Sequence, residues 1–228
     1  MFSSEDEQNK GQARTEEKET GRLEAFSDGV FAIAITLLIL QIPLPHENQA
    51  TPLLTQLGRQ WALYLAYLVS FMTILIMWVN HHALFRLIHR TDQLFLVLNG
   101  LLLMVITFVN YPLAVLAESL QAPYSRKLDT DQHTAALFYN GVFIVIAIIY
   151  NVLWRYASHK RRLLSRGADP LIVETITRQY RFGPLFYVAS FLLAFVSVWA
   201  SLGLNLLLAV YFAFTGRTKS PTAAPGTK

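Results

Sequence analysis

The sequence predicts an all-α protein that crosses a membrane several times, on three observations. Of its 228 residues 54% are hydrophobic and 15% charged, against the ~25% charge of a soluble domain. Several uncharged runs exceed the ~18 residues that a helix needs to cross a ~30 Å hydrocarbon core, where a helix satisfies its own backbone polar groups. Lysine and arginine are shared unevenly among the segments that join those runs, which decides how many of them cross.

Residues 1–20 mix charges with no apolar periodicity and read as a disordered tail, not a signal peptide. Span one covers roughly 22–43 and ends at Pro43 and Pro45. Span two lies at 61–82, span three at 93–116, span four at 135–156, and Pro112 kinks or ends span three. Asp169-Pro170 is a helix-start signal within the basic stretch 155–181, which reads as cytosolic surface facing anionic lipid, not as a nucleic-acid patch. From Phe182 to Gly216 no residue is charged, too long a run for one ~30 Å passage. A break at Ser201–Gly203 divides it into spans at 183–200 and 203–215.

With six spans and the N-terminus inside, only Arg59, Arg126 and Lys127 of the 19 basic residues fall outside. That bias obeys the positive-inside rule and puts both termini in the cytoplasm. The expected organisation is a cytoplasmic tail over 1–21, a six-helix membrane domain over 22–216 and a second tail over 217–228, in a multi-pass protein of the cell membrane. There are no cysteines, which excludes disulfides and thiolate chemistry. No TVGYG filter, arginine row in span four, GxxxxGK[ST], GxGxxG or GxSxG is present. No catalytic residue, metal ligand set or cofactor is therefore expected.

The stretch RLEAFSDGVFAIAITLLILQIPLP, residues 22–45, stands apart. Positions three and four apart share a helix side, so Phe26, Gly29, Ile33, Leu37 and Leu40 form one stripe with Thr36 beside it. Such a stripe packs against neighbouring helices, with the glycine at the close crossing, or it lines a pathway. Asp28 near hydrocarbon must be paired or protonated. Antiparallel spans one and two place Arg22 and Asp28 at the depth of Trp78, Asn80, His81, His82 and Arg86. His81, His82 or Arg22 could pair with Asp28, as a clasp between the two helices or as part of a substrate path. Adjacent histidines point about 100° apart on a helix, so only one of them can face Asp28 well. The isolated Asn99, Asn110, Asn140, Asn151 and Asn205 suit interhelical hydrogen bonds.

Arg22-x-x-x-Phe26-Ser27-Asp28 at the head of span one, with Trp78-Val79-Asn80-His81-His82 closing span two, resembles the endosomal/lysosomal potassium channel family, transmembrane protein 175. The single set of six spans is similar to its bacterial and archaeal members. The resemblance covers about residues 22–215 and leaves the tails aside. It implies a symmetric homotetramer whose four first helices line a central pore without a selectivity loop. Carried over from the FSD motif, the narrow points fall on Ile33, Leu37 and Leu40, with Thr36 as a hydroxyl layer implicated in selectivity. The Arg22, Phe26, Ser27, Asp28 and His81 positions are implied to hold the pore helix. The FVNYPLA end of span three departs from the Phe/Pro-rich end common in the family.

The function expected is a potassium-preferring cation channel subunit with a hydrophobic gate, passing K⁺ and other monovalent cations, with membrane lipids as further partners and no nucleic acid. Two rivals remain at this stage. One is a proton-coupled secondary transporter using Asp28 and His81/His82, though the internal repeats and interrupted helices of carriers are not evident. The other is a non-conducting scaffold.

Overall fold

The computed structural model describes residues 4–42, 44, 52–121, 126–165 and 167–215. Among them the regular structure is helical, apart from one isolated bridge between Ile88 and Leu164. In chain order it comprises α1 (Ser4–Leu37) with a 3₁₀ turn at Leu38–Gln41, α2 (Leu53–Arg59), α3 (Trp61–Phe85), α4 (Gln93–Phe108) and α5 (Asn110–Gln121). Then follow α6 (Arg126–Ser158), a 3₁₀ turn at His159–Arg161, α7 (Pro170–Leu193) and α8 (Val198–Thr215).

Among the described residues, four stretches are long and apolar enough to cross a bilayer: Lys18–Gln41, Leu63–Phe85, Gln93–Leu120 and Thr130–Arg161. Val198–Tyr211 of α8 is apolar but shorter, and α7 carries Glu174, Arg178 and Arg181 in its first half. The core between the helices is aromatic and aliphatic, with Trp154, Tyr139, Phe31, Phe95 and Phe143 its largest fully buried side chains.

The structure departs from the sequence reading at several places. Residues 4–20, expected as a disordered tail, continue α1 as helix. Glu, Gln and Lys are frequent there, types that lose little freedom in a helix, and the apolar span supplies the nucleus from which the helix propagates. Pro43 and Pro45 lie outside the described residues. The loop ahead of span two holds the short helix α2.

Span three is broken at Val109. Pro112, three residues on, offers no N–H to the Phe108 carbonyl and crowds it, so the helix restarts as α5. The break after α7 falls at 194–197, not at Ser201–Gly203. Ser197 accepts a hydrogen bond from the Ala200 N–H at 3.3 Å and opens α8, while Ser201 is buried inside that helix as a bonding partner.

Asparagines and serines tie the helices of the bundle together, and one of them answers a proline. Pro184 sits inside α7 and frees the Tyr180 carbonyl four residues back, and that carbonyl accepts the Asn151 side-chain N–H from α6. Asn140 of α6 donates to Ser201 Oγ at 2.9 Å, Asn205 donates to Asn140 Oδ1 at 2.8 Å, and Ser190 donates to the Ser201 carbonyl at 3.0 Å. These bonds join α6, α7 and α8. Interhelical hydrogen bonding is the role expected of those asparagines.

At one end of the bundle the 86–92 turn is strapped to the segment after α6. His89 N–H donates to Leu163 O at 2.9 Å, and Ser165 N–H donates to Leu87 O at 2.9 Å. Asp92 caps α4 by accepting from Phe95 N–H at 2.9 Å, accepts the Tyr156 hydroxyl, and pairs with Arg162 at 3.2 Å. Burial alone would raise the Asp92 carboxyl, but the Tyr156 hydroxyl, the Phe95 N–H and Arg162 outweigh it and hold it below its ordinary range. Lys160 and Arg161 both take left-handed backbone, with φ of 51° and 55°, a conformation that costs an L-residue about 1–2 kcal/mol each. Asp169 caps α7, accepting from Leu171 N–H at 2.9 Å with Pro170 in the first turn, which is the helix start read from the sequence.

Candidate ion pathway and its helix clasp

α1 has two faces. Ser27, Phe31, Ala34 and Leu38 recur at spacings of four, three and four, and all are buried against the rest of the chain. Phe26, Ile33, Leu37 and Leu40, on the opposite side, are 63%, 58%, 46% and 74% exposed. Gly29 lies on that side too, and a Cβ placed on it would meet nothing within 4 Å. Among the described residues, then, the stripe stays largely exposed and Gly29 marks no close crossing. Thr36 is exposed beside it, its hydroxyl 3.0 Å from both the Ala32 and the Ile33 carbonyls. Donating its proton inward leaves the threonine oxygen as an acceptor.

The packed face is held by a directional chain of buried polar groups. Ser27 Oγ donates to the Leu23 carbonyl at 2.8 Å, so it can accept Asn99 Nδ2 at 2.9 Å. With its NH₂ so used, Asn99 presents Oδ1 to His81 Nε2 at 2.9 Å, and the bond requires the imidazole proton to lie on Nε2. Ser27, His81 and Asn99 are each 0% exposed. The His81 ring stacks on Phe85 with centroids 4.4 Å apart and meets Phe31 at 5.3 Å. Its Nδ1 is buried without a hydrogen-bond partner. Three helices, α1, α3 and α4, are thus tied at one level.

Two further bonds flank this chain. Trp78 Nε1 donates to Asp28 Oδ1 at 2.8 Å, and His82 Nδ1 lies 2.9 Å from Glu24 Oε1. Trp78 and His82 stack with centroids 5.9 Å apart. The expected pairing of Asp28 with His81, His82 or Arg22 is therefore corrected. Helix geometry aims the residue one turn before His82 at Asp28, and an indole N–H satisfies a carboxylate without a second buried charge.

Of the motif residues, the structure brings together Ser27, Asp28, Trp78, His81 and His82. Arg22 and Phe26 are exposed on the stripe side. Asn80 faces away from α1 and lines a cavity of about 60 Å³ with Met77, Tyr150 and Tyr180. Sequence reasoning missed Glu24 and Asn99 as members of the cluster. Asn99 could have been found as the asparagine within the first two turns of span three, at the depth of the histidines. Among the described residues no group of three or more His, Asp or Glu side chains could hold a metal ion.

Long apolar helices, buried polar ties between them and an unpacked aliphatic face on the first define a multi-pass helical membrane protein. The family model described as the endosomal/lysosomal potassium channel TMEM175 matches residues 22–109, which contain the whole α1–α3–α4 clasp. A potassium channel of Chamaesiphon minutus is 52% identical over 200 residues, covering 87% of this chain and 95% of its own. One of Streptomyces collinus is 42% identical over 196 residues, covering 86% and 92%. The crystal structure of a lysosomal potassium-selective channel TMEM175 homolog from Chamaesiphon minutus aligns with a TM-score of 0.77 and 48% identity, covering 88% of this chain and 100% of that one. The chain belongs to the TMEM175 family, whose members are ion channels and not enzymes.

Proposed function

We propose that this chain is the subunit of a potassium-preferring cation channel of the cell membrane, in which four copies set α1 around an axial pore. The observation that carries the reading is the exposed face of α1. Ile33, Thr36, Leu37 and Leu40 stand clear of their own protomer, in a chain 52% identical to a protein named a potassium channel. One helix cannot enclose a conduit, so symmetry-related copies supply the other walls. In this arrangement α7 and α8 complete six crossings, and both termini lie in the cytoplasm.

Rings of Ile33, Leu37 and Leu40 gate by excluding water, a barrier that a wider or more polar ring lowers. An aliphatic ring gives no oxygens to replace a hydration shell. Preference for K⁺ then comes from partial dehydration at the neck, helped by the Thr36 oxygen, whose proton is engaged within α1. The clasp sets the rotation of α1, because Ser27 and Asp28 are held from the side opposite the stripe. The proton-relay alternative lacks a direct link, since Asp28 takes Trp78 and His82 takes Glu24.

Reconstituted into liposomes under a potassium gradient, the purified protein conducts K⁺ in preference to Na⁺, and Leu37→Ala and Leu40→Ala leak more. Absence of flux, or flux and reversal potential untouched by Leu37→Ala, Leu40→Ala and Thr36→Ala alike, rejects the pore assignment.

A further inference from the structure

The strapped end of the bundle carries a second arrangement, independent of α1. Segments 86–92 and 155–165 hold Arg86, Arg90, Arg155, Lys160, Arg161 and Arg162 against the single acid Asp92. Asp92 is already engaged by Arg162, Tyr156 and the α4 cap. Arg161 is tied back to the Ala168 carbonyl. Arg155 and Lys160 are exposed, and neither meets a carboxylate among the described residues.

Below Arg155 an apolar track runs down α6. Val145, Ile148 and Val152, at spacings of three and four that continue to Arg155, are 45%, 48% and 43% exposed. A helix face that is aliphatic along its length and cationic at its end matches an acyl chain beneath a negative headgroup. The backbone points the same way. The first left-handed residue after a helix is usually glycine, because a side chain is strained there. Lys160 occupies that position after α6 and Arg161 repeats the conformation. A residue that costs the fold stability persists where its side chain is used.

We propose that this rim seats an anionic phospholipid, its headgroup phosphate between Arg155 and Lys160 and a chain along Val145, Ile148 and Val152. The inference needs α6 to span the bilayer but not ion conduction. The test therefore reads lipid binding, which can fail or succeed separately from flux.

Thermal unfolding of the full-length protein in detergent is measured with added dioleoylphosphatidylglycerol or dioleoylphosphatidylcholine. The anionic lipid raises the wild-type midpoint more than the zwitterionic one. Lys160→Gly melts no lower than wild type in phosphatidylcholine, because the strained turn relaxes, yet loses at least half of the phosphatidylglycerol increment. Arg155→Gln loses a similar share, and Arg59→Gln, beyond the other end of α3, keeps the increment. The proposal is overturned by a wild type that does not distinguish the lipids or by a Lys160→Gly variant with the full increment. Equal loss in Arg59→Gln overturns it as well, as does an increment reproduced by inorganic phosphate or a short oligonucleotide alone.

Discussion

Along one side of α1, Ser27, Phe31, Ala34 and Leu38 are buried; along the other, Ile33, Leu37 and Leu40 stand exposed. Both sides are mostly apolar, so hydrophobicity does not sort them. In a bilayer lipid is as oily as leucine, and helices associate through close fit and polar pairing. The buried side has both. Ser27 has an asparagine waiting on α4, Phe31 has the His81 ring, and Ala34 lets the Asn110 side chain reach its carbonyl at 3.3 Å. The exposed side has bulk without partners in its own chain. Substitutions on the first should act on stability, and on the second on transport.

The largest expected effect is that of Phe31→Ala. Emptying a fully buried aromatic site costs about 3–5 kcal/mol, and the thermal midpoint of the detergent-solubilised protein should fall sharply. An unchanged midpoint would mean that the two faces are not energetically distinct. Asn99→Leu is next. It strands His81 Nε2, at about 1–3 kcal/mol for a buried group left unpaired, while Ser27 keeps the bond it donates to the Leu23 carbonyl. On the proposed pore arrangement, its signature is a lower midpoint together with altered conduction.

Leu40→Ala inverts that pattern. An exposed site is expected to change stability by about 0.5 kcal/mol or less, while potassium leak in liposomes rises several-fold. A loss of stability without extra leak would place Leu40 in a packing contact. Thr36→Ala is subtler still, shifting the K⁺/Na⁺ reversal potential with no change in midpoint.

The smallest effect sharpens the comparison from outside the membrane. Asp92→Asn keeps the α4 cap but loses the charge that Arg162 meets. Because the folded carboxyl titrates below its ordinary value, its contribution is present above the unfolded carboxylate range and is lost as pH falls through the folded value. The midpoint gap between wild type and Asp92→Asn should therefore be open at pH 7 and close below about pH 4. A gap independent of pH would assign the effect to hydrogen bonding alone.

Composition and run length were enough to identify a helical membrane protein, because hydrocarbon admits few other solutions to backbone hydrogen bonding. Helical spacing picked out the Ile33–Leu37–Leu40 stripe, and the RxxxFSD and WVNHH residues carried the family, since both signals are local in the chain. What spacing could not say is which partner a polar side chain takes. Asp28 chose Trp78 over either histidine, and Asn99 became the hub of the clasp. The break after α7 fell at 194–197, which leaves Ser201 inside α8 to bond Asn140 and Ser190. Those outcomes depend on which atoms meet across helices distant in sequence, and only the packed tertiary arrangement decides that.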